Sequence, residues 1–218
     1  MKINKQFKYP KSMRSVINGG RHYDIDGDKL PSVTTILSAC QSDEKKASLA
    51  AWKARMGDKA ADEVRDTAAA RGTAMHTYLE HYLDGTGYKD LTTLGKQAEV
   101  MANKIIESGL GDLEELWGLE TTLYYPDLYA GATDVVGVYG GQPAIIDFKQ
   151  SNKPKRREWI LDYFEQLGAY AMAHNQVYGT KIQSGIVLMC TKDFMFQKFE
   201  VSGREFVGHQ HAFLRKVD

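Results

Sequence analysis

One short segment limits the folds open to this chain more than any other. Gly140-Gly141 lies between two β-rich runs, "YAGATDVVGVY" and "PAIIDFK", and a glycine pair there is a strong signal for a two-residue hairpin turn. Such a turn sets the register of both strands. If Tyr139 pairs with Gln142, then Asp134 falls opposite Asp147 on one sheet face, with Lys149 two residues further along that face. Opposed carboxylates sit about 4.5 to 5.5 Å apart at Cβ and repel. A divalent cation held between them reverses the sign of that interaction, and hard oxygen ligands favour Mg2+ or Mn2+. An ion pair between Lys149 and one aspartate at a solvated sheet edge is the other arrangement the same residues allow. A bulge near Pro143 would separate the faces altogether.

The remaining chain is read around this hairpin. Helical periodicity covers roughly residues 44–56, 58–83 with a possible break at Gly72, and 95–108. A small hairpin around Asp26-Gly27 and a helix capped by Ser32 precede them. From Leu113 the pattern turns to three strands, then a helix over about 158–178, two strands ("SGIVLMCT", "FMFQKFEV") and a last helix over about 204–215. That order predicts an α/β or α+β layer arrangement. With 218 residues, 43% of them hydrophobic, one domain is expected, 1–112 supplying the N-terminal hairpin and helices and 113–218 the sheet core.

Composition narrows the functional classes. No apolar run approaches the length of about 20 residues needed for a membrane span, so a soluble protein without a membrane partner is expected. Cys40 and Cys190 are too few for a disulfide framework; both read as buried packing residues of a protein in a reducing compartment. The 28 basic and 28 acidic residues cancel, which argues against coating nucleic acid through bulk charge. Charge is nonetheless uneven. No acid precedes Asp24, a segment read as a frayed basic terminus, and Lys153, Lys155, Arg156 and Arg157 form a second basic cluster.

Five ordered motifs carry a resemblance. Gly131-x-x-Asp134, Asp147-x-Lys149 and Gln166-x-x-x-Tyr170, together with "LPSVTTIL" and "RGTAMH" upstream, are similar to the PD-(D/E)XK nuclease superfamily in its RecB-like branch, over most of the chain. Asp147 stands where relatives often carry glutamate, and Gln150 where they commonly carry threonine. The resemblance implies a restriction-endonuclease-like core: a central mixed sheet flanked by helices, with an N-terminal helical region. It implies a Mg2+- or Mn2+-dependent DNA exonuclease, preferring single strands or ends, in a bacterial or phage-infected cytoplasm and in replication or recombination. A duplex-end exonuclease, a flap endonuclease and a non-catalytic DNA-binding module on the same fold are the alternatives.

The resemblance also assigns roles. Asp134, Asp147, the Phe148 carbonyl and His76 would bind metal, and Lys149 would orient water and neutralise charge on the phosphate. Glu80, one turn after His76, could hold the imidazole ring or a metal-bound water. Gln166 and Tyr170 would support Lys149 and the scissile phosphate from the next helix. Glu120 matches an acid of similar proteins and is placed behind the ligands. Lys153, Lys155, Arg156 and Arg157, just downstream of the catalytic strand, would run along backbone phosphates. Tyr124, Tyr125 and Tyr129 are read as packing residues before stacking ones.

Overall fold

The computed structural model describes residues 1–217. In chain order it comprises β1 (Lys2–Ile3), β2 (Met13–Ile17), β3 (Gly20–Ile25), β4 (Asp28–Pro31), α1 (Val33–Ala39), α2 (Asp43–Met56), α3 (Asp58–Asp84) and α4 (Thr93–Gly109). These lead into β5 (Leu113–Tyr125), β6 (Tyr129–Tyr139), β7 (Gln142–Ser151), α5 (Leu161–Tyr178), β8 (Ser184–Thr191), β9 (Phe196–Ser202) and α6 (Gly203–Val217). Among the described residues no helix is long and apolar enough to cross a membrane.

The main sheet has six strands in the order β1-β5-β6-β7-β8-β9. β5, β6 and β7 form an antiparallel meander, and β8 lies parallel to β7, a pairing that needs the α5 crossover between them. The sheet is therefore mixed, as expected. Both turn glycines have positive φ, 56° at Gly140 and 76° at Gly141, the backbone a twisted two-residue hairpin demands. Tyr139 pairs with Gln142, and the ladder runs without a shift past Pro143 to Val135 opposite Ile146.

Strand alternation then divides the core. Val135, Ile146 and Phe148 join Met75, Leu79, Met101 and Ile105 of α3 and α4 on one face. Val136 and Ile145 join Phe164, Leu167, Phe206 and Phe213 of α5 and α6 on the other. Asp134, Asp147 and Lys149 share parity with the second set, so they point toward the α5 side.

Several expectations are corrected. α3 is continuous through Gly72, because that glycine serves close packing: a Cβ there would stand 3.1 Å from Gln150 Cγ of β7. The basic N-terminus is docked instead of frayed. β1 pairs in parallel with β5, and the Phe7 and Tyr9 rings pack against His174 and Tyr178. Cys190 is buried but Cys40 is exposed. α5 begins at Leu161, later than about 158, because Arg157–Trp159 form a 3-10 turn that leads into it.

α2 differs from the other long helices. None of its residues is buried, and Ser42 caps it by accepting a hydrogen bond from Lys45 N. It stands on α3 as an outer wall.

Candidate active site

The sequence-predicted aspartates meet where the β6–β7 ladder stops. One residue beyond the Val135–Ile146 pair, the Asp134 side chain takes over from its backbone: Asp134 Oδ2 accepts a hydrogen bond of 2.6 Å from Phe148 N. The ladder to β6 ends at this fork, and the Phe148 carbonyl meets His76. α3 reaches the fork from one face of the sheet and α5 from the other. His76 of α3 spans it, with Nε2 2.9 Å from Phe148 O and Nδ1 3.3 Å from Asp134 Oδ1. Both ring nitrogens face acceptors, so the geometry calls for an imidazolium. Burial works against that charge, but Asp134 outweighs it and the His76 pKa rises to about 9.

Asp147 and Lys149 complete the group. Lys149 Nζ lies 2.5 Å from Asp147 Oδ2, an ion pair by distance in which that oxygen still lacks an aligned hydrogen-bond donor. Burial opposes the Lys149 charge, yet Asp147 and Asp134 push its pKa up to about 12. The two carboxylates diverge: burial, reinforced by Asp134, raises Asp147 in spite of Lys149. Asp134 faces the same burial, but His76, Lys149 and the Phe148 N–H hold it below the usual carboxylate range. The ammonium also lies 5.1 Å from the centre of the Tyr163 ring.

Glu120 enters the site by a route that its sequence does not signal. β5 is irregular, and Glu120 occupies left-handed backbone with φ of 47°, between the pairs Leu119–Val135 and Thr121–Thr133. Its carboxylate comes within 4.8 Å of ligand atoms of both His76 and Asp134. Glu120 as a whole is exposed, but partial burial of its carboxylate, then the charge of Asp134, raises its pKa to about 7. Placed by sequence behind the ligands, Glu120 stands among them.

These residues fit a divalent cation. Three candidate ligand atoms converge, an oxygen of Asp147 is buried without an aligned donor, and the Phe148 carbonyl faces the same fork. The donor set is oxygen with one imidazole nitrogen and no sulfur, which suits Mg2+ or Mn2+.

The supporting residues are arranged from α5. Gln166 Nε2 donates to Tyr170 Oη at 3.3 Å, and both side chains are buried. The Tyr170 ring lies so close to β6 that a Cβ on Gly131 would approach it to 2.7 Å. The glycine of Gly131-x-x-Asp134 thus makes room for the tyrosine of Gln166-x-x-x-Tyr170, tying two distant motifs by packing. Glu80 does not hold the His76 ring, whose nitrogens are both engaged elsewhere; it is exposed and lines a neighbouring cavity.

The four downstream cations separate. Lys153 and Lys155 line a cleft beside the fork. Arg156 is exposed, 5.2 Å over the Trp159 ring. Arg157 is tied to α6 through Glu205 at 2.8 Å and lies over Phe164. Tyr129 is buried and donates to the Ala169 carbonyl, a packing role.

A mixed sheet flanked by helices, forked at a buried carboxylate pair and a lysine, is the arrangement that the PD-(D/E)XK resemblance implies. The resemblance carried by the five motifs holds at the level of fold. The chain is 29% identical over 177 residues to human mitochondrial genome maintenance exonuclease 1, covering 75% of this chain and 50% of that protein. It is 28% identical over 179 residues to the mouse protein of the same name, with 78% and 52% covered. The chain therefore spans about half the length of the curated relatives it matches. No family model matches it. A solved Eubacterium rectale protein with a provisional exonuclease name aligns over 67% of both chains at 14% identity and a TM-score of 0.46, a likeness too low to bear on function.

Proposed function

We propose that this protein is a divalent-metal-dependent DNA exonuclease that prefers single strands or strand ends. The observation that carries the reading is the fork: two buried aspartates, a lysine and a histidine converge where an oxygen of Asp147 is left without an aligned donor. Lys149 and His76 answer the two aspartates, Glu120 adds a third carboxylate beside them, and a divalent cation would answer that excess. The exonuclease name of the relatives supports the reaction class, and the single-strand preference extends the resemblance in the motifs.

His76, Glu120, Asp134, Asp147 and the Phe148 carbonyl would hold the ion, His76 as a neutral ring that has given up its proton and its contact with Phe148 O or Asp134. When bound it supplies a Lewis acid that activates water and offsets charge on the phosphoryl group. The chain's own part is electrostatic and positional. Lys149 places a permanent cation where negative charge grows on the phosphate, and Asp147 keeps that ammonium in position. Gln166 and Tyr170 would support the pair from α5. Asp134, fixed by the Phe148 N–H, needs no reorganisation to act as a ligand.

The test is cleavage of DNA labelled at either end, single- and double-stranded, in Mg2+, Mn2+ and chelator. Stepwise loss of terminal nucleotides that chelator abolishes is expected, fastest on single strands. Binding without cleavage under every metal condition would overturn the reading in favour of a DNA-binding module on the same fold.

A further inference from the structure

Beside the fork lies a cleft of about 980 Å³ whose chemistry the ligand set does not use. Its floor is the strand that continues past the catalytic lysine, contributing Gln150, Ser151 and Asn152; its far wall is α2, through Trp52 and Met56. Tyr163, which faces Lys149, belongs to both cleft and fork. The cleft is cationic. Arg71, Lys153, Lys155 and Lys192 line it, against one lining carboxylate, Glu63.

Arg71 is the unusual member. It is 4% exposed, and a guanidinium at that depth normally has a carboxylate partner. Among the described residues no carboxylate lies within salt-bridge distance. Its Nε and Nη2 donate to Gln150 Oε1 at 3.1 and 3.0 Å, and Nη2 also donates to Asn152 Oδ1. Burial lowers its pKa, and Asp193 on the neighbouring turn only partly offsets this. Neutral amides orient the guanidinium without cancelling its charge. Two side chains of the catalytic strand and its extension thus hold a buried cation at the wall of a cationic cleft. Lys192, exposed, extends the field from the end of β8.

We infer that Arg71, with Lys192 of the same cleft, forms a phosphate-binding subsite that grips the nucleic-acid strand on the Asn152 side of the scissile bond. The inference rests on the nuclease reading for its substrate class, and it adds residues outside both the ligand set and the basic run from Lys153 to Arg157. With Nε and Nη2 held by Gln150 and Asn152, Nη1 is left to donate to a phosphate oxygen from a fixed position, which a flexible lysine would not hold. Trp52 and Tyr163 offer faces for the adjoining bases. The phosphate is either a terminal monoester or an internal diester.

Binding measured in chelator separates this inference from catalysis. Single-stranded oligonucleotides with a 5′-phosphate, a 3′-phosphate or hydroxyls at both ends are titrated by fluorescence anisotropy against wild type, Arg71→Lys and Lys192→Ala over a range of salt. Each variant should bind about tenfold more weakly, with the salt slope reduced by about 0.7 for Lys192→Ala, as expected when one cation leaves a single strand. A loss confined to phosphorylated ends identifies a terminal phosphate, and an equal loss on all strands an internal one. Arg71→Lys is interpreted only if its Tm matches wild type; Lys192→Ala, at an exposed side chain, decides otherwise. Wild-type affinity and salt slope in the folded variants would overturn the subsite. Wild type that binds in this manner but cleaves nothing in Mn2+ would leave the subsite standing and remove the nuclease reading.

Discussion

Two histidines in this protein have been driven in opposite directions. His76 stands at the fork among Asp134, Asp147 and Glu120, and its pKa rises to about 9. His174, on α5, is fully buried under the docked N-terminus; its Nε2 meets Tyr9 Oη at 3.2 Å and its Nδ1 meets Thr180 Oγ1 at 2.7 Å. Among the described residues no acid faces it, and burial pulls its pKa down to about 4. Desolvation opposes the charged form at both sites, so anionic neighbours make the difference. The hydroxyls around His174 satisfy a neutral ring and close the packing. The carboxylates around His76 are answered by its own proton and by Lys149, and they are the groups that would hold a divalent cation. A buried histidine is thus structural or chemical according to what faces it, and burial by itself does not tell the two apart.

The largest expected effect concerns the fork. Lys149→Ala should reduce cleavage by roughly 10²- to 10³-fold, the scale for removing one preorganised electrostatic group. Because Lys149 is paired with the buried Asp147, the variant should also melt at a lower temperature in chelator. Full stability there would show that the pair contributes nothing to the fold. His76→Ala is expected to raise the Mn2+ concentration for half-maximal cleavage by about tenfold or more, read from a metal titration. An unchanged titration would return His76 to an ordinary helix residue and dissolve the contrast.

At the other histidine, His174→Ala should cost about 2 to 4 kcal/mol in denaturant unfolding, a cavity-scale loss, and leave cleavage by the folded protein unchanged. The pH dependence sharpens this. A folded pKa near 4 below an unfolded value near 6.5 means that the unfolded chain binds the proton first. The contribution of His174 is therefore fully present above about pH 6.5 and is lost as pH falls toward 4. Thermal melts across that window should show a steeper acid loss in wild type than in His174→Gln; parallel curves would place the acid sensitivity elsewhere. The smallest effect belongs to Glu80→Gln, expected within about 0.5 kcal/mol of wild type with an unchanged metal titration. A shifted titration would restore Glu80 to the fork.

The sequence by itself determined the hairpin and the side-chain placement that the hairpin dictates. Gly140-Gly141 admits one tight turn, the turn sets the register, and period-two alternation places Asp134, Asp147 and Lys149 on one side. The long helices were legible for the same reason, since an apolar repeat is a local property. Features that depend on approach between distant segments were not. Glu120 reaches the fork through left-handed backbone within a strand, for which glutamate carries no signal. Gly72 looks like a helix breaker until Gln150 of β7 is seen against it. The N-terminus reads as a loose basic tail until β5 offers it a strand partner and α5 an aromatic seat. Only the tertiary structure decided the charge states of His76 and His174, because a pKa reports the sum of neighbours brought together from the whole chain, whereas turns and periodicities report residues next to one another.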